Sequence, residues 1–196
     1  MLTYPATRDV SMSKRRFQSS DPERLQWQNP EVILSGAGLR AGMTFIDIGC
    51  GEGFFSIPAA YIVGSSGHVY AYDINEEAVS QLAIQAREEH LDHLVATTCT
   101  GEDTVLFEGC ADMVFFGIDL HDFEDPGKVL QNARIMLKPG GILVDLDWKD
   151  QPMEFGPPLE KRFSKEKAMN LIESAGFRIV SAVEAGPYHY LIMAKL

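Results

Sequence analysis

The chain is short of cysteine and has no long apolar run. Its three cysteines among 196 residues, Cys50, Cys99 and Cys110, lack the spacing of a metal site, and each lies in or beside an apolar stretch. We therefore interpret them as reduced core thiols, predict no metal site, and expect a cytoplasmic protein. No stretch of about 18 apolar residues occurs, and no basic segment followed by an apolar stretch opens the chain. The sequence predicts neither export nor a membrane span, and no membrane partner.

Basic residues are also scarce. Lys and Arg number 17 against 28 Asp and Glu, which gives a net charge of −11. A chain of this charge repels a phosphate backbone, so nucleic acid is not an expected partner. Hydrophobic residues make up 45% of the chain, which is enough to build the core of a single domain.

The N-terminal segment is polar and shows no clean periodicity. We predict that residues 1–30 form an arm or cap and that residues 31–196 form the main domain. The arm contains Phe17 and Trp27. Burying a large apolar side chain contributes about 1.5–3 kcal/mol, so we expect the arm to fold back onto the body of the protein.

In the main domain, apolar runs alternate with helical patterns, which is typical of a parallel sheet covered by helices on both faces. Strands are expected near Thr44–Ile48, His68–Tyr72, Leu94–Cys99, Asp112–Phe116 and Gly141–Asp147. Helices are expected at Pro30–Leu39, Phe54–Val63, Glu76–Glu89, from Pro126 to about Leu137, and Lys165–Ala175. The last two apolar runs, FRIVSAV and YHYLIMAKL, are joined by a short turn and must pair antiparallel. The predicted fold is an α/β, doubly wound, seven-stranded and mostly parallel sheet with a C-terminal antiparallel hairpin.

The most informative segment is FIDIGCGEGFF, in which an apolar strand leads into glycines at alternate positions. Without side chains at Gly49, Gly51 and Gly53, the backbone can turn tightly and a ligand can lie directly against the main chain. Twenty residues later, a second apolar strand ends in Asp73, where α/β folds place an acid that binds ribose hydroxyls. These two features together predict a nucleoside ligand.

The details of the loop discriminate between nucleosides. Dinucleotides need a G-x-G-x-x-G loop and a free helix N-terminus for the pyrophosphate, but the third position of that pattern is Phe54. Asp47, two residues before the first glycine, would repel a pyrophosphate and suit a cationic amino group. The pattern favours a ligand with an amino acid at one end and a ribose at the other.

Several segments resemble class I S-adenosylmethionine-dependent methyltransferases: FIDIGCGEGFF, the strand-terminal Asp73, ADMVFFGIDLHDFEDP, the turn before ILVDLDW, and the closing hairpin. Within that class, the chain is similar to the group of the ubiquinone and menaquinone biosynthesis (type 11) methyltransferases, over about residues 31–196. The resemblance implies a Rossmann-like methyltransferase fold and S-adenosylmethionine as cofactor, with S-adenosylhomocysteine as product.

The resemblance also implies which residues bind the methionine end of the cofactor. These are the side chain of Asp47 and the main chain of Gly49, Cys50, Gly51 and Gly53.

For the nucleoside end, the resemblance implies that Asp73 accepts hydrogen bonds from both ribose hydroxyls and that Ile74 packs on the adenine. Glu102 or Asp103, just beyond the third strand, would meet the adenine amino group. The family often has an aspartate where this chain has residues near Gly101, so the choice between the two acids stays open.

Phe116 and Gly117 end the fourth strand and would border the sulfonium, since ligands of open α/β sheets bind beyond such strand ends. His121 follows and is our candidate catalytic residue, because a group with a pKa near neutrality can orient or deprotonate the acceptor. The alternative is that His121 only packs or caps a loop beside neighbouring aspartates. Two tryptophans, Trp27 and Trp148, are proposed to line the acceptor pocket, with core packing as the alternative for Trp148.

The segment Lys149–Phe163 is rich in proline and too polar for a core. We predict that it forms a lid over the cleft together with the N-terminal arm. Its Lys161 and Arg162 would then meet an acidic acceptor. A solvated surface loop is the alternative.

Our functional hypothesis is in-line methyl transfer from S-adenosylmethionine to a small-molecule acceptor. A homodimer is a possible assembly. The amino-directed DNA and RNA methyltransferases carry an Asn or Asp, two prolines and an aromatic residue where this chain has Phe116-Gly117-Ile118-Asp119. The alternative hypothesis is a non-catalytic S-adenosylmethionine-binding module with a regulatory or accessory role. A nucleotide-dependent dehydrogenase is a third possibility, which Phe54 and Asp47 disfavour.

Overall fold

The computed structural model describes residues 22–154 and 156–196. Their helices are α1 (Pro22–Trp27), α2 (Pro30–Gly36), α3 (Ser56–Val63), α4 (Glu76–Glu88), α5 (Pro126–Met136) and α6 (Lys165–Ser174). Their strands are β1 (Thr44–Ile48), β2 (His68–Asp73), β3 (Leu94–Thr98), β4 (Ala111–Gly117), β5 (Leu137–Trp148), β6 (Arg178–Ala185) and β7 (His189–Lys195). Two short 3₁₀ turns cover Gly101–Asp103 and Leu159–Lys161.

The strands form one sheet of seven in the order β3-β2-β1-β4-β5-β7-β6. Strands β1 to β5 are parallel to one another, and β7 is antiparallel to both β5 and β6. Helices α2, α3 and α4 contribute to the core on one face, and α5 and α6 contribute to the core on the other. The predicted fold, including the C-terminal hairpin, is confirmed.

The strand order reverses between β1 and β4. From β1 the chain proceeds through β2 to the edge at β3 and then returns to the other side of β1 as β4. In doubly wound sheets, the crevice beyond the carboxyl ends of the strands at such a switch point is where ligands bind.

Helix starts follow the sequence signals closely. Asn75 caps α4 by accepting hydrogen bonds from the backbone of Glu77 and Ala78. Asp125 caps α5, with Pro126 at the first helical position. Each cap fixes the direction in which the chain leaves the carboxyl edge of the sheet.

Three boundaries differ from the sequence prediction by two residues or more, and several others differ by one. Helix α2 ends at Gly36 rather than at Leu39. Helix α3 begins at Ser56 rather than at Phe54, because the turns that follow the glycine loop extend through Phe55, and Phe54 and Phe55 both pack into the core. Strand β5 begins at Leu137 rather than at Gly141, since Leu137 already pairs with Ala111 before an irregularity in the register.

The predicted arm is only partly within the described residues. Phe17 lies outside them, whereas Trp27 ends α1 and packs against Trp148, Tyr188 and His189. None of the helices in the described ranges is both long and apolar enough to cross a membrane.

Candidate active site

A cavity of about 1030 Å³ lies at the switch point, beyond the carboxyl ends of the central strands. Single small-molecule sites typically occupy about 300–1,000 Å³, so this one has room for a cofactor and a small acceptor together. Of the site residues predicted from sequence, nine line it: Trp27, Gly49, Gly51, Asp73, Ile74, Glu102, Asp103, Trp148 and Lys161.

The glycine loop forms one wall by close backbone approach. The amides of Gly49 and Cys50 both donate to the carbonyl of Tyr72, at 2.8 and 2.9 Å. Gly49 has a φ of +85°, and a Cβ there would lie 2.6 Å from the carboxyl carbon of Asp119. Only glycine fits this position, because both the conformation and the space exclude a side chain.

Asp73 links the end of β2 to the glycine loop. Its Oδ2 accepts a hydrogen bond from the Gly51 amide at 2.7 Å, and its Oδ1 accepts one from the Asn75 amide at 2.8 Å. Each carboxylate oxygen has a second lone pair, so Asp73 can still accept from two hydroxyls. Ile74, 73% exposed, lies beside it and offers an apolar surface to a flat ring.

Glu102 and Asp103 lie on the 3₁₀ turn after β3, and both line the cavity. Asp103 is held by Thr100, whose hydroxyl donates to its carboxylate at 2.9 Å. Glu102 accepts from the backbone of Asp125 at 3.1 Å. The structure brings both acids to the cavity, so both remain candidates for the adenine amino group.

Asp47 lies behind the glycine loop rather than on the cavity surface. It is buried in β1, its Oδ2 accepts a hydrogen bond from the Ser56 hydroxyl at 2.6 Å, and its Oδ1 has no partner within the described residues. Burial raises the pKa of Asp47 to about 7, with the Ser56 hydrogen bond opposing the shift and the Asp73 charge adding to it. A buried carboxylate with an unsatisfied oxygen favours a nearby positive charge.

Asp119 is a site residue that the sequence interpretation missed. It is half-buried, lines the cavity, and lies directly against Gly49. Burial, followed by the charges of Asp73, Asp147, Asp47 and Asp122, raises its pKa well above the usual range. Its place just after β4, next to β1, was the signal that could have identified it.

The residue before Asp119 has an unusual backbone. Ile118 has a φ of +70°, which is rare for a β-branched residue, and its amide donates to the Leu146 carbonyl at 2.6 Å. Such strain concentrates at functional sites. It turns Ile118 and Asp119 towards the cavity, so that Phe116 and Gly117, which were predicted to border it, lie behind this wall in the core.

The other predicted residues that do not line the cavity support it from behind. Cys50 is buried, and burial raises the pKa of its thiol. Gly53 lies against Leu82, where a Cβ would collide with the leucine side chain. His121 is buried and reaches the cavity only through its neighbour Asp122.

His121 is held by a carboxylate 26 residues further along the chain. Its Nδ1 lies 2.8 Å from Oδ1 of the buried Asp147, and its Nε2 lies 3.5 Å from Asp122, too far for a hydrogen bond. Burial alone lowers the pKa of His121, but the hydrogen bond and charge of Asp147, with the charge of Asp122, outweigh it and raise the pKa. This arrangement fixes the orientation of the ring and leaves Nε2 buried, without a hydrogen-bond partner within the described residues.

Trp27 and Trp148 form an aromatic wall at the opposite side of the cavity, with ring centroids 6.0 Å apart. The predicted lid segment completes this side through Gly156, Pro157, Pro158 and Lys161. Arg162 holds the segment by donating to the carbonyl of Pro157 at 2.8 Å and to those of Lys149 and Gln151.

A Rossmann-like sheet with a glycine loop, an acid at the end of β2 and an acid-rich cavity at its switch point is the arrangement of a class I S-adenosylmethionine-dependent methyltransferase. The family model described as "Methyltransferase domain" matches residues 39–178, and the chain belongs to this family. Its cofactor is S-adenosylmethionine. The predicted family and the predicted cofactor are thus both confirmed.

Two relatives support this assignment. The chain is 26% identical over 166 residues to the ubiquinone/menaquinone biosynthesis C-methyltransferase UbiE of Vibrio parahaemolyticus, covering 84% of this chain and 61% of that protein. A solved SAM-dependent methyltransferase from Aquifex aeolicus has 31% identity and a TM-score of 0.85, covering 91% of this chain and 98% of that one. This chain spans 39–61% of the length of the curated relatives it matches.

A more distant structure shares the fold. Geranyl diphosphate C-methyltransferase from Streptomyces coelicolor has a TM-score of 0.74 at 17% identity, covering 88% of this chain and 81% of that one.

Proposed function

We propose that this chain transfers a methyl group from S-adenosylmethionine to a small-molecule acceptor. The observation that carries the proposal is the cavity of about 1030 Å³ that joins the glycine loop and Asp73 at one side to an aromatic wall at the other. When bound, S-adenosylmethionine supplies a methyl carbon on a cationic sulfur, which a lone pair of the acceptor attacks. The chain then has to align the acceptor and exclude water.

For the methionine end, we propose the main chain from Gly49 through Cys50 and Gly51 to Gly53. Asp47 sets a negative field behind this loop, and the carboxylate of Asp119 meets the ammonium group. The support is the unsatisfied oxygen of Asp47 and the contact of Asp119 with Gly49.

For the nucleoside end, we propose that Asp73 accepts the ribose hydroxyls, Ile74 covers the adenine, and Glu102 or Asp103 accepts from its amino group. Ile118, backed by Phe116 and Gly117, borders the sulfur. These roles are supported by the positions of the side chains around one cavity.

We propose that His121 takes up a proton from the acceptor at Nε2 while Asp147 orients the ring. The support is the 2.8 Å contact at Nδ1, which leaves Nε2 as the ring nitrogen without a hydrogen bond, 3.5 Å from the cavity-lining Asp122. Reaching the acceptor requires Asp122 to move aside, which its 52% exposure permits. Without that movement His121 would only pack.

The variants His121→Asn and Asp147→Asn test this role. If His121 holds the proton, His121→Asn lowers kcat by about 10²-fold or more with little change in the KM of the acceptor, and the rise of kcat with pH disappears. His68→Asn, exposed at the opposite end of β2, is the matched control. Unchanged turnover in His121→Asn would assign it the packing role instead.

The central test is calorimetry with S-adenosylmethionine, S-adenosylhomocysteine and NAD, followed by measuring S-adenosylhomocysteine release over a panel of quinol, catechol, amine and thiol acceptors. Binding of the first two ligands with release on an acceptor is the expected result. Binding of NAD alone contradicts the proposal. Binding without release on any acceptor favours the alternative, a non-catalytic regulatory or accessory module.

We also propose a cytoplasmic location and no nucleic-acid partner. The three cysteines are free thiols, buried or half-buried, which suits a reducing compartment. The net charge of −11 disfavours phosphate backbones. For the assembly we propose a homodimer. The support is the edge strand β6, on which Val180 and Val183 are exposed. Light scattering tests the proposal by measuring the molar mass in solution.

A further inference from the structure

The 3₁₀ turn Gly101–Asp103 carries both acids that are candidates for the adenine amino group, and helix α5 packs against this turn. The closest approach is at Gly101. A Cβ there would lie 2.7 Å from Cε1 of Phe123 and 3.1 Å from Cγ2 of Val129 on α5. The position of the turn is therefore set by α5 as well as by the end of β3.

Asn132 is the side chain of α5 that bonds to the turn. Its Nδ2 donates to the carbonyl of Glu102 at 2.7 Å and to the carbonyl of Gly101 at 3.3 Å. Asn132 is fully buried, so water does not compete for these two hydrogen bonds. The amide has one suitable orientation, because Oδ1 in the place of Nδ2 would face two carbonyl oxygens.

The oxygen of the same amide is unsatisfied. Oδ1 of Asn132 is buried and has no hydrogen-bond partner among the residues that the structure describes. A buried polar atom without a partner costs free energy, and an apolar side chain would avoid that cost. What an amide contributes at this position is therefore its pair of hydrogen bonds to the turn.

The turn also bonds to the start of α5. The backbone amide of Asp125, the N-cap of α5, donates to Oε1 of Glu102 at 3.1 Å. Asp125 and Asn132 are seven residues apart, about two helical turns, which places them on the same side of α5. Glu102 is thus held by α5 at two points, through its main chain and through its carboxylate.

The two candidate acids differ in how they are held. Glu102 is half-buried and lines the cavity, and the hydrogen bond at Oε1 leaves its Oε2 for a ligand. Asp103 is exposed, and its carboxylate turns back to accept from the Thr100 hydroxyl at 2.9 Å. A charge-assisted hydrogen bond is stronger where less water surrounds it. These differences favour Glu102 as the acid that meets the adenine amino group.

We propose that Asn132 is a positioning residue for base recognition, which holds the main chain of Glu102 so that its carboxylate accepts a hydrogen bond from the amino group of adenine. This inference rests on the proposed methyl transfer from S-adenosylmethionine. Asn132 is buried behind the turn and is not part of the cavity lining, so it acts only through Glu102. Its effect is therefore on the affinity for a base that carries the amino group.

The test compares S-adenosylhomocysteine with its 6-deamino analogue, in which hydrogen replaces the amino group of the purine. Calorimetry measures the affinity for each ligand. We expect the wild-type protein to bind S-adenosylhomocysteine at least about tenfold more tightly than the analogue, the effect of one hydrogen bond to a charged group. In Asn132→Ala, this preference should fall to about threefold or less, because only the binding of S-adenosylhomocysteine weakens.

Gln131→Ala is the matched control. Gln131 is the neighbouring residue of α5, and its Nε2 donates to the carbonyl of Ala175, outside the cavity lining, at 3.4 Å. This variant should keep the preference. Asn132→Val has a side chain of similar size without a hydrogen-bonding group, and it keeps the test decisive if the space left in Asn132→Ala prevents folding. A merely structural role of Asn132 would weaken the binding of both ligands together and leave their ratio unchanged.

Glu102→Gln tests the acid directly. The neutral amide oxygen accepts a weaker hydrogen bond than a carboxylate does, so the preference should fall in this variant too. An unchanged preference in Glu102→Gln, or its loss in Asp103→Asn instead, would overturn the choice of Glu102 and with it the inference.

Equal affinity of the wild-type protein for the two ligands, or a full preference in the folded Asn132 variants, would also overturn the inference. The same titrations separate this failure from a failure of the proposed function. Binding of S-adenosylhomocysteine without a preference rejects only the base recognition, whereas absence of S-adenosylhomocysteine binding rejects the methyl transfer itself.

Discussion

At the scale of single residues, the site depends on carboxylates that are buried or half-buried. Asp47 lies on β1 and Asp119 follows the end of β4, the two strands that flank the switch point. Both have raised pKa values because burial disfavours their charged forms. Such groups destabilise the ligand-free protein. A cationic ligand offsets that cost, which is why the acids are tolerated here.

The first prediction concerns Asp47. Its pKa is 3.8 in the ordinary state and about 7 in the fold, so the folded protein keeps the proton between these values while the unfolded chain has lost it. The contribution of protonated Asp47 to the free energy of unfolding is complete below pH 3.8 and is lost as the pH rises through about 7. Relative to wild type, Asp47→Asn should gain about 1.4 kcal/mol of unfolding free energy per pH unit in that window.

Urea unfolding at several pH values between about 4 and 8 measures this difference. Asp92→Asn, at an exposed carboxylate, is the control. A difference between Asp47→Asn and wild type that is independent of pH would contradict the raised pKa.

The second prediction concerns Gly49. In Gly49→Ala, the added Cβ would meet Asp119 at 2.6 Å in a backbone conformation of positive φ, so either the loop or the acid must move. We expect S-adenosylmethionine affinity to fall by at least about tenfold, the effect of losing one charge-assisted hydrogen bond.

Gly140→Ala provides the matched comparison, because Gly140 has a φ of +83° and nothing within 4 Å of an added Cβ. It should cost stability without changing the affinity. Calorimetry on both variants measures the contrast, and equal affinities would argue that the close approach of Asp119 is irrelevant to binding.

At the scale of secondary structure elements, the site is fixed where a strand passes into a helix. Asp73 ends β2, binds the glycine loop through Oδ2, and binds the first residue of the turn into α4 through Oδ1. Asn75 then caps α4. Asp73, the proposed ribose ligand, is therefore positioned by two elements at once.

Asn75→Ala tests this coupling. Removing the cap should lower the free energy of unfolding by about 1 kcal/mol. It should also weaken S-adenosylmethionine binding several-fold, because the first turn of α4 no longer fixes Asp73. Ser164→Ala removes the equivalent cap of α6, away from the cavity, and should cost similar stability with unchanged affinity. If the two variants bind the cofactor equally, the cap has no role in positioning Asp73.

At the scale of the whole molecule, the excess of acidic residues creates a negative potential around the cavity. The net charge is −11, and the cavity lining contains Asp73, Glu102, Asp103, Asp119, Asp122 and Glu124. S-adenosylmethionine carries a sulfonium charge that S-adenosylhomocysteine lacks. Clefts of one sign concentrate ligands of the other.

Salt should therefore discriminate between the two ligands. The Debye length falls from about 10 Å at 0.1 M salt to about 3 Å at 1 M. Over this range we expect the affinity for S-adenosylmethionine to fall several-fold, with a smaller change for S-adenosylhomocysteine, both measured by calorimetry. Parallel changes for both ligands would indicate that the field of the molecule does not act on the sulfonium.

The sequence by itself determined the order of strands and helices, the glycine loop and the acid at the end of β2. These features depend on short-range causes: alternation of apolar runs, glycine conformational freedom, and caps such as Asn75 and Asp125 that bond to residues two or three positions away. For the same reason, the resemblance to one cofactor-binding family could be identified from contiguous segments.

Only the tertiary structure decided which side chains face the cavity. The turn at Ile118 places Asp119 in the cavity wall and leaves Phe116 behind it. His121, which follows β4, contacts Asp147 on the neighbouring strand β5. The pairing of Trp27 with Trp148 depends on how α1 packs on the end of β5. Contacts between residues distant in the chain arise from sheet order and packing, and no local pattern encodes them.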